Sequence, residues 1–321
     1  MVSSFGPSET LDVDSLKENV IFLESIPNLR RVDSHGRLFR SSRQDGASQA
    51  DIQALANRGI RSYLDCRSTY EYRNIDNGRA KAIDGFVHVL VPDIPDPKAA
   101  KGYPSTSSIP VKDLSGKLVT DASPGTCPRR YLINMFSKEM ALEIFHMAPW
   151  YKQIFTILWV IIGIFVVGEP ILHFTQCLAG EIQRFGLVGR YKGFLEYASK
   201  EICFILKTLS DPENLPAMIC CAHGKDRTGV VIALVLSVLG KSDEYIAGEY
   251  SLSEKGLEPI LIEQKENLMQ YLPDESFLLA RKETMLEVLD ATRKMYGSVE
   301  NYLESIGFGR EDQNKLRLAL A

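Results

Sequence analysis

The sequence predicts an α/β domain, and two strand–helix units carry that prediction. In the first, the short apolar run Met218-Ile219-Cys220 leads into Cys221-Ala222-His223-Gly224-Lys225-Asp226-Arg227-Thr228-Gly229, and residues 230–239 are almost wholly apolar. That order reads as a buried strand, a tight loop and the start of a buried helix. In the second, Ile52, Leu55 and Ala56 give residues 48–58 helical spacing. Gly59 stops that helix, and a strand follows at 62–64. Asp65 and Arg67 then fall just past a strand's carboxyl end, where sites of α/β sheets gather.

The remaining elements follow along the chain. Residues 1–17 read as a flexible tail ahead of a single domain at 18–321. An apolar strand at 86–91 leads to the proline-stiffened stretch Val91-Pro92-Asp93-Ile94-Pro95. Residues 96–130 are rich in Pro, Ser, Gly and Lys and read as an extended surface segment, the first part of an insertion over 98–180. From Gln153 to Gly168 no residue is charged. That run is shorter than the roughly 20 residues needed to cross a bilayer. With Trp150, Tyr151 and Lys152 at its start, the 150–172 segment is expected to be an apolar lid that also makes peripheral contact with a membrane surface. An amphipathic helix at 195–209 is stopped by Asp211-Pro212, and three helices are expected at 243–252, 275–295 and 298–319.

The loop at 221–229 carries chemistry. A strand-to-helix loop turns its backbone N–H groups inward as an anion nest, and the helix N-terminus adds partial positive charge. A thiol at the mouth of such a nest is pushed toward thiolate. Cys221 is therefore the candidate nucleophile toward a phosphate ester. The N–H groups from Ala222 through Asp226 to Arg227 would hold the equatorial oxygens, and Arg227 has the planar fork to take two of them. The Thr228 hydroxyl suits donation to the Cys221 sulfur, and Gly224 permits a turn that a Cβ would obstruct. Lys225 and His223 are expected to add positive charge at the rim. A nucleotide P-loop is excluded, because Ile219 stands where its first glycine belongs and Asp226 where its Ser/Thr belongs. Cys220 is one residue too far from Arg227, and strand alternation points it the other way.

This stretch resembles the signature loop of the protein tyrosine phosphatase superfamily. The likeness extends to Asn28-Leu29-Arg30, to Gly36-Arg37-Leu38-Phe39-Arg40-Ser41-Ser42, to Leu64-Asp65-Cys66-Arg67-Ser68 with Glu71, and to Val91-Pro92-Asp93. It continues in Tyr250-Ser251-Leu252-Ser253 and the tail from Tyr296 to Leu303. Together these are similar to the PtpB-like branch of mycobacterial and fungal phosphatases. The resemblance implies a central mostly parallel sheet flanked by helices, a helical lid insertion, and no metal or other cofactor. It implies a protein tyrosine phosphatase, with phosphoserine/threonine and phosphoinositides as further substrates, and hence a phosphorylated protein or phosphoinositide as partner. Two departures stand out: Cys220 replaces the family's His before the nucleophile, and Arg31 stands where relatives often carry Asp. Cys220 is also near enough in sequence to be considered as a resolving thiol for an oxidised Cys221.

Two carboxylic acids compete as proton donor. Asp93 lies on a loop resembling the acid-bearing loop of tyrosine phosphatases. Asp226 lies in the signature loop, and the resemblance implicates it in catalysis. The reading adopted gives Asp226 the proton transfer or the positioning of water, with Asp93 assisting. A rival reading makes the chain a pseudophosphatase that binds phosphate without turnover; the missing His favours it.

Composition bounds these readings. A length of 321 residues with 45% hydrophobic content supports a sizeable core, and a net charge of −4 gives no reason to expect nucleic acid. Six scattered cysteines and a polar, acidic N-terminus fit a cytoplasmic enzyme with a reduced nucleophile.

Overall fold

The computed structural model describes residues 16–73, 87–98, 103–119, 128–136, 138–167, 174, 176–269 and 275–321. The expected tail lies outside these residues except at its end, where Leu16 is buried.

Seven strands form one sheet: β1 (Arg30–Arg31), β2 (Leu38–Ser41), β3 (Ser62–Asp65), β4 (Val87–Pro92), β5 (Val111–Lys112), β6 (Arg129–Leu132) and β7 (Ala217–Cys220). Their order is β1-β2-β7-β3-β6-β4-β5. The five inner strands are parallel, and β1 and β5 close the edges antiparallel. The expected mostly parallel α/β sheet is therefore present.

β6 corrects the expected insertion. Residues 129–132 sit near the sheet's centre, between β3 and β4. The run Arg129-Arg130-Tyr131-Leu132 does not read as a central strand, because two arginines open it. Burial of Arg130 is made tolerable by Asp65 on the neighbouring strand, at 2.6 Å.

The described helices are α1 (Gln49–Ala56), α2 (Thr69–Arg73), α3 (Lys138–His146), α4 (Trp150–Ile162), α5 (Ala179–Tyr197), α6 (Ser199–Leu209), α7 (Asp226–Val238), α8 (Asp243–Met269), α9 (Lys282–Tyr296), α10 (Val299–Ser305) and α11 (Arg310–Leu320). Strand alternation sends Leu38, Leu64 and Ile219 into the larger core, with α5 to α7 and α9 to α11. It sends Phe39, Tyr63 and Met218 into a smaller core under α1, with Leu55 and Ile60. Helices thus cover both faces, as parallel strands require.

Several helix boundaries differ from expectation. The 195–209 helix is two, because Ala198 leaves helical geometry (φ −110°, ψ 28°) between α5 and α6. The helix from 243 runs on to Met269 through Pro259. Only a 3-10 turn occupies Glu275–Leu278 before α9 begins. The 298–319 stretch breaks at Gly307, whose φ of 88° suits glycine and whose missing Cβ leaves room for Pro97.

The uncharged segment forms most of α4, which runs on through helical geometry at Gly163 into a π-turn at Gly163–Val167. Trp150, Tyr151, Ile154, Phe155, Ile157, Leu158, Ile161 and Ile162 are exposed. Its inward side is the polar one: Lys152 pairs with Glu181 at 3.1 Å, Gln153 donates to the Ala148 carbonyl, and Thr156 is buried. No described helix is long and apolar enough to cross a membrane.

Candidate active site

β7 ends at Cys220, and α7 begins at Asp226. The residues between them form a loop at the carboxyl edge of the sheet. The helix starts four residues earlier than the apolar run at 230, so Asp226, Arg227 and Thr228 occupy its first turn. A carboxylate there is favoured in its charged form by the helix dipole.

Four consecutive loop carbonyls are held from outside. Ala222 O accepts from the Arg43 N–H at 3.2 Å. The Asn28 side-chain amide donates to His223 O at 2.9 Å and Gly224 O at 3.1 Å. Arg40 donates to Gly224 O at 2.6 Å and to Lys225 O at 3.4 Å. A trans peptide places N–H opposite C=O, so turning these carbonyls outward turns the intervening N–H groups into the loop's interior. Gly224 has φ +64°, and a Cβ there would lie 2.1 Å from Ser41 O. Close approach to β2 thus demands glycine for space as well as for dihedral angle.

The bracing side chains form a buried network. Glu249 on α8 binds Arg30 and Arg40 at 2.6 Å each, and Arg30 also donates to Ser253 at 3.0 Å. Asn28, Arg30 and Arg40 entered the sequence reading only through resemblance. The physical signal available was Glu249 and Ser253, one helical turn apart, facing cations on two adjacent strands.

Arg227 is gripped from the other side. Glu71 accepts from both terminal nitrogens, at 2.6 and 2.7 Å, and the Cys66 carbonyl accepts a third bond at 3.2 Å. Glu71 is itself fixed by a capping box: Ser68 N–H donates to its carboxylate, and Glu71 N–H donates to the Ser68 hydroxyl. Burial would raise the Glu71 pKa, but Arg227 and Ser68 pull it down to about 2. The Ser68-x-x-Glu71 spacing was the sequence signal for this clamp.

Cys221 is 2% exposed at the loop's floor. The Thr228 hydroxyl is buried without a hydrogen-bond partner, a donor left unused. Cys220 faces the other side of the sheet, with its sulfur 3.8 Å from Gln44 Oε1. Burial and nearby Asp65 push its thiol up to about 12. It therefore points away from Cys221 and cannot serve as the resolving thiol. The cysteine beside Cys221 is Cys66: both belong to the larger core, and Cys66 N–H bonds to Cys220 O at 2.8 Å.

Lys225 and His223 do not supply the expected rim charge. Lys225 is 2% exposed, and its ammonium donates to the carbonyls of Phe277 at 2.5 Å and Leu279 at 3.0 Å. The His223 pKa falls to about 4 by desolvation, with Lys225, Arg43 and Arg227 adding to the fall, so the ring is neutral at pH 7.

The two candidate acids are placed differently. Asp93 is well exposed and pairs with Lys112 of β5 at 2.8 Å. Among the described contacts, none joins it to the loop. Asp226 stands in the first turn of α7 and accepts from the Tyr191 hydroxyl at 2.6 Å. Tyr191 lies on α5, so α5 reaches the start of α7 through this bond. The expected lid segment, α4, is tied through Lys152 to the start of α5 instead.

The chain matches the Tyrosine phosphatase family over residues 28–158 and 174–321. It is also 25% identical over 300 residues to the triple specificity protein phosphatase PtpB of Mycobacterium tuberculosis, an overlap of 88% of this chain and 90% of that protein. The family match includes the loop, the Glu71 clamp and the Glu249 network within its bounds, and on it this chain belongs to the tyrosine phosphatase family.

Proposed function

We propose that this phosphatase works through a covalent thiophosphate on Cys221. The observation that carries the reading is the set of four outward-held carbonyls around a buried cysteine, with Arg227 clamped across from it. A preorganised ring of N–H donors stabilises the charge on a transferring phosphoryl group without reorganising. The Cys221 sulfur attacks phosphorus, and the P–O bond to the leaving group breaks. Asp226 moves a proton to the leaving oxygen. Water then attacks phosphorus, Asp226 takes its proton, and the S–P bond breaks to return the thiolate and phosphate. Thr228 donates to the sulfur as it departs. Asp93 has a lesser part, because its carboxylate is engaged with Lys112.

Phosphotyrosine is the proposed substrate, with phosphoserine/threonine and phosphoinositides beside it. The description of the mycobacterial relative as triple specificity supports this breadth. Buried Lys225 and neutral His223 withdraw the expected support from rim charge. The exposed apolar side of α4 supports substrates met at a lipid surface, through peripheral contact from a cytoplasmic, reducing compartment.

Phosphate release from para-nitrophenyl phosphate is expected from the wild-type chain and not from Cys221→Ser. Phosphate binding without release by the wild type would instead select the pseudophosphatase reading, which Cys220 in place of His favours.

A further inference from the structure

Asp226 has an asymmetric environment. Tyr191 donates to Oδ1 at 2.6 Å, and the Lys225 ammonium lies 3.5 Å from the same oxygen. The described hydrogen bond and ion pair both fall on Oδ1, leaving Oδ2 available. Behind Tyr191, its hydroxyl oxygen is 2.6 Å from that of Tyr250. Since Tyr191 spends its one proton on Asp226, Tyr250 must donate to Tyr191. The result is a directed chain, Tyr250 to Tyr191 to Asp226. Both rings are buried, and they meet edge to face. The Tyr250 ring also packs on Gly229, where a Cβ would lie 3.0 Å from it.

We propose that Tyr191, backed by Tyr250, is a positioning residue for Asp226: it holds one carboxylate oxygen and leaves the other to exchange the proton with substrate and water. This rests on the proton-transfer role given to Asp226 above. The chain spans three elements, with Tyr191 on α5, Asp226 on α7 and Tyr250 on α8. Proton transfer is therefore coupled to the seating of α5 over the loop.

The groups facing this carboxylate are Lys225 and His223 from the loop and Arg190 and Tyr191 from α5; Arg40 of β2 and Glu254 of α8 act on Tyr250. Burial opposes ionisation of Asp226, but Lys225, Arg190, Tyr191 and His223 outweigh it and hold its pKa below the usual carboxylate value. The charged form of Asp226 is thus the favoured one. A bound phosphate dianion raises its proton affinity by like-charge repulsion, so the proton arrives with the phosphate monoanion. It passes from phosphate oxygen to Oδ2 and on to the leaving oxygen, which balances the step.

The test is steady-state hydrolysis of para-nitrophenyl phosphate by the full chain between about pH 4 and about pH 9. Tyr191→Phe keeps the ring and removes the donor. It is expected to lower kcat about 10-fold with KM little changed, and to move the limb set by Asp226 to higher pH, since a lost donor favours the protonated acid. Tyr250→Phe is expected to act in the same direction and less, and it remains informative if Tyr191→Phe fails to fold. In an Asp226→Asn background, Tyr191→Phe is expected to cause no further loss, as residues acting through one group are not additive. A Tyr191→Phe profile superimposed on wild type, or a full further loss in the Asp226→Asn background, overturns the tyrosine assignment alone. An unchanged profile for Asp226→Asn itself overturns the proton-transfer role, and the assignment with it.

Discussion

Gly224 and Glu71 show how single residues shape the site. At Gly224, positive φ and the Ser41 carbonyl act together: an added Cβ would lie 2.1 Å from that oxygen, which belongs to β2 and cannot retreat. Gly224→Ala is expected to push the loop off β2. Phosphate binding, followed by calorimetry, should be lost, and the thermal midpoint should fall. Glu71 acts on orientation. Without it, Arg227 keeps its charge but loses the partner that aims its fork. A misplacement of about 1 Å can cost about 100-fold in rate. Glu71→Gln is accordingly expected to reduce kcat/KM by about 10- to 100-fold, while Glu71→Asp, which keeps the charge, should retain more. Steady-state kinetics on para-nitrophenyl phosphate checks both. Glycine at position 224 was legible from its place in the loop. Glu71 was legible only through the family resemblance, because its reach to Arg227 spans 156 positions in sequence.

Among the elements, α4 inverts the usual amphipathic pattern. Surface helices normally turn apolar residues inward; here Lys152, Gln153 and Thr156 face the protein, and aromatic and aliphatic side chains face out. Contiguous exposed apolar surface of this kind marks a contact face. Leu158→Glu combined with Phe155→Glu is expected to reduce co-flotation with phosphoinositide-containing liposomes and to leave hydrolysis of para-nitrophenyl phosphate near wild type. Equal flotation of variant and wild type would remove the lipid contact. The uncharged composition of this segment was plain in sequence, but its exposure was not. Apolar content is the same in a buried helix and in one that faces a membrane, and only the packing of neighbours distinguishes them. The sheet shows the converse: β6 was missed because its arginines hide a central strand until Asp65 of β3 is brought within 2.6 Å of Arg130.

Across the whole molecule, the cradle is held in shape from outside itself. Glu249 of α8 fixes Arg30 and Arg40, which with Asn28 hold the loop carbonyls, so helix, sheet edge and loop form one buried polar assembly. Removing one partner of such a buried pair typically costs about 3–5 kcal/mol, because it strands charge in the interior. Glu249→Ala is expected to destabilise the chain by that order in urea unfolding and to abolish turnover, although the residue lies outside the signature loop. The sequence by itself determined the α/β class, the strand–loop–helix around Cys221, and the pairing of a thiol with Arg227 at phosphate-ester spacing. These are local facts, set by hydrophobic period and by neighbours a few residues apart. Only the tertiary structure decided that Asp226 accepts from Tyr191 while Asp93 is engaged with Lys112, that Glu71 reaches Arg227, and that Lys225 is sealed among carbonyls. Each of these depends on which surfaces meet across the sheet, and burial and charge pairing between distant segments leave no periodic trace in a single chain.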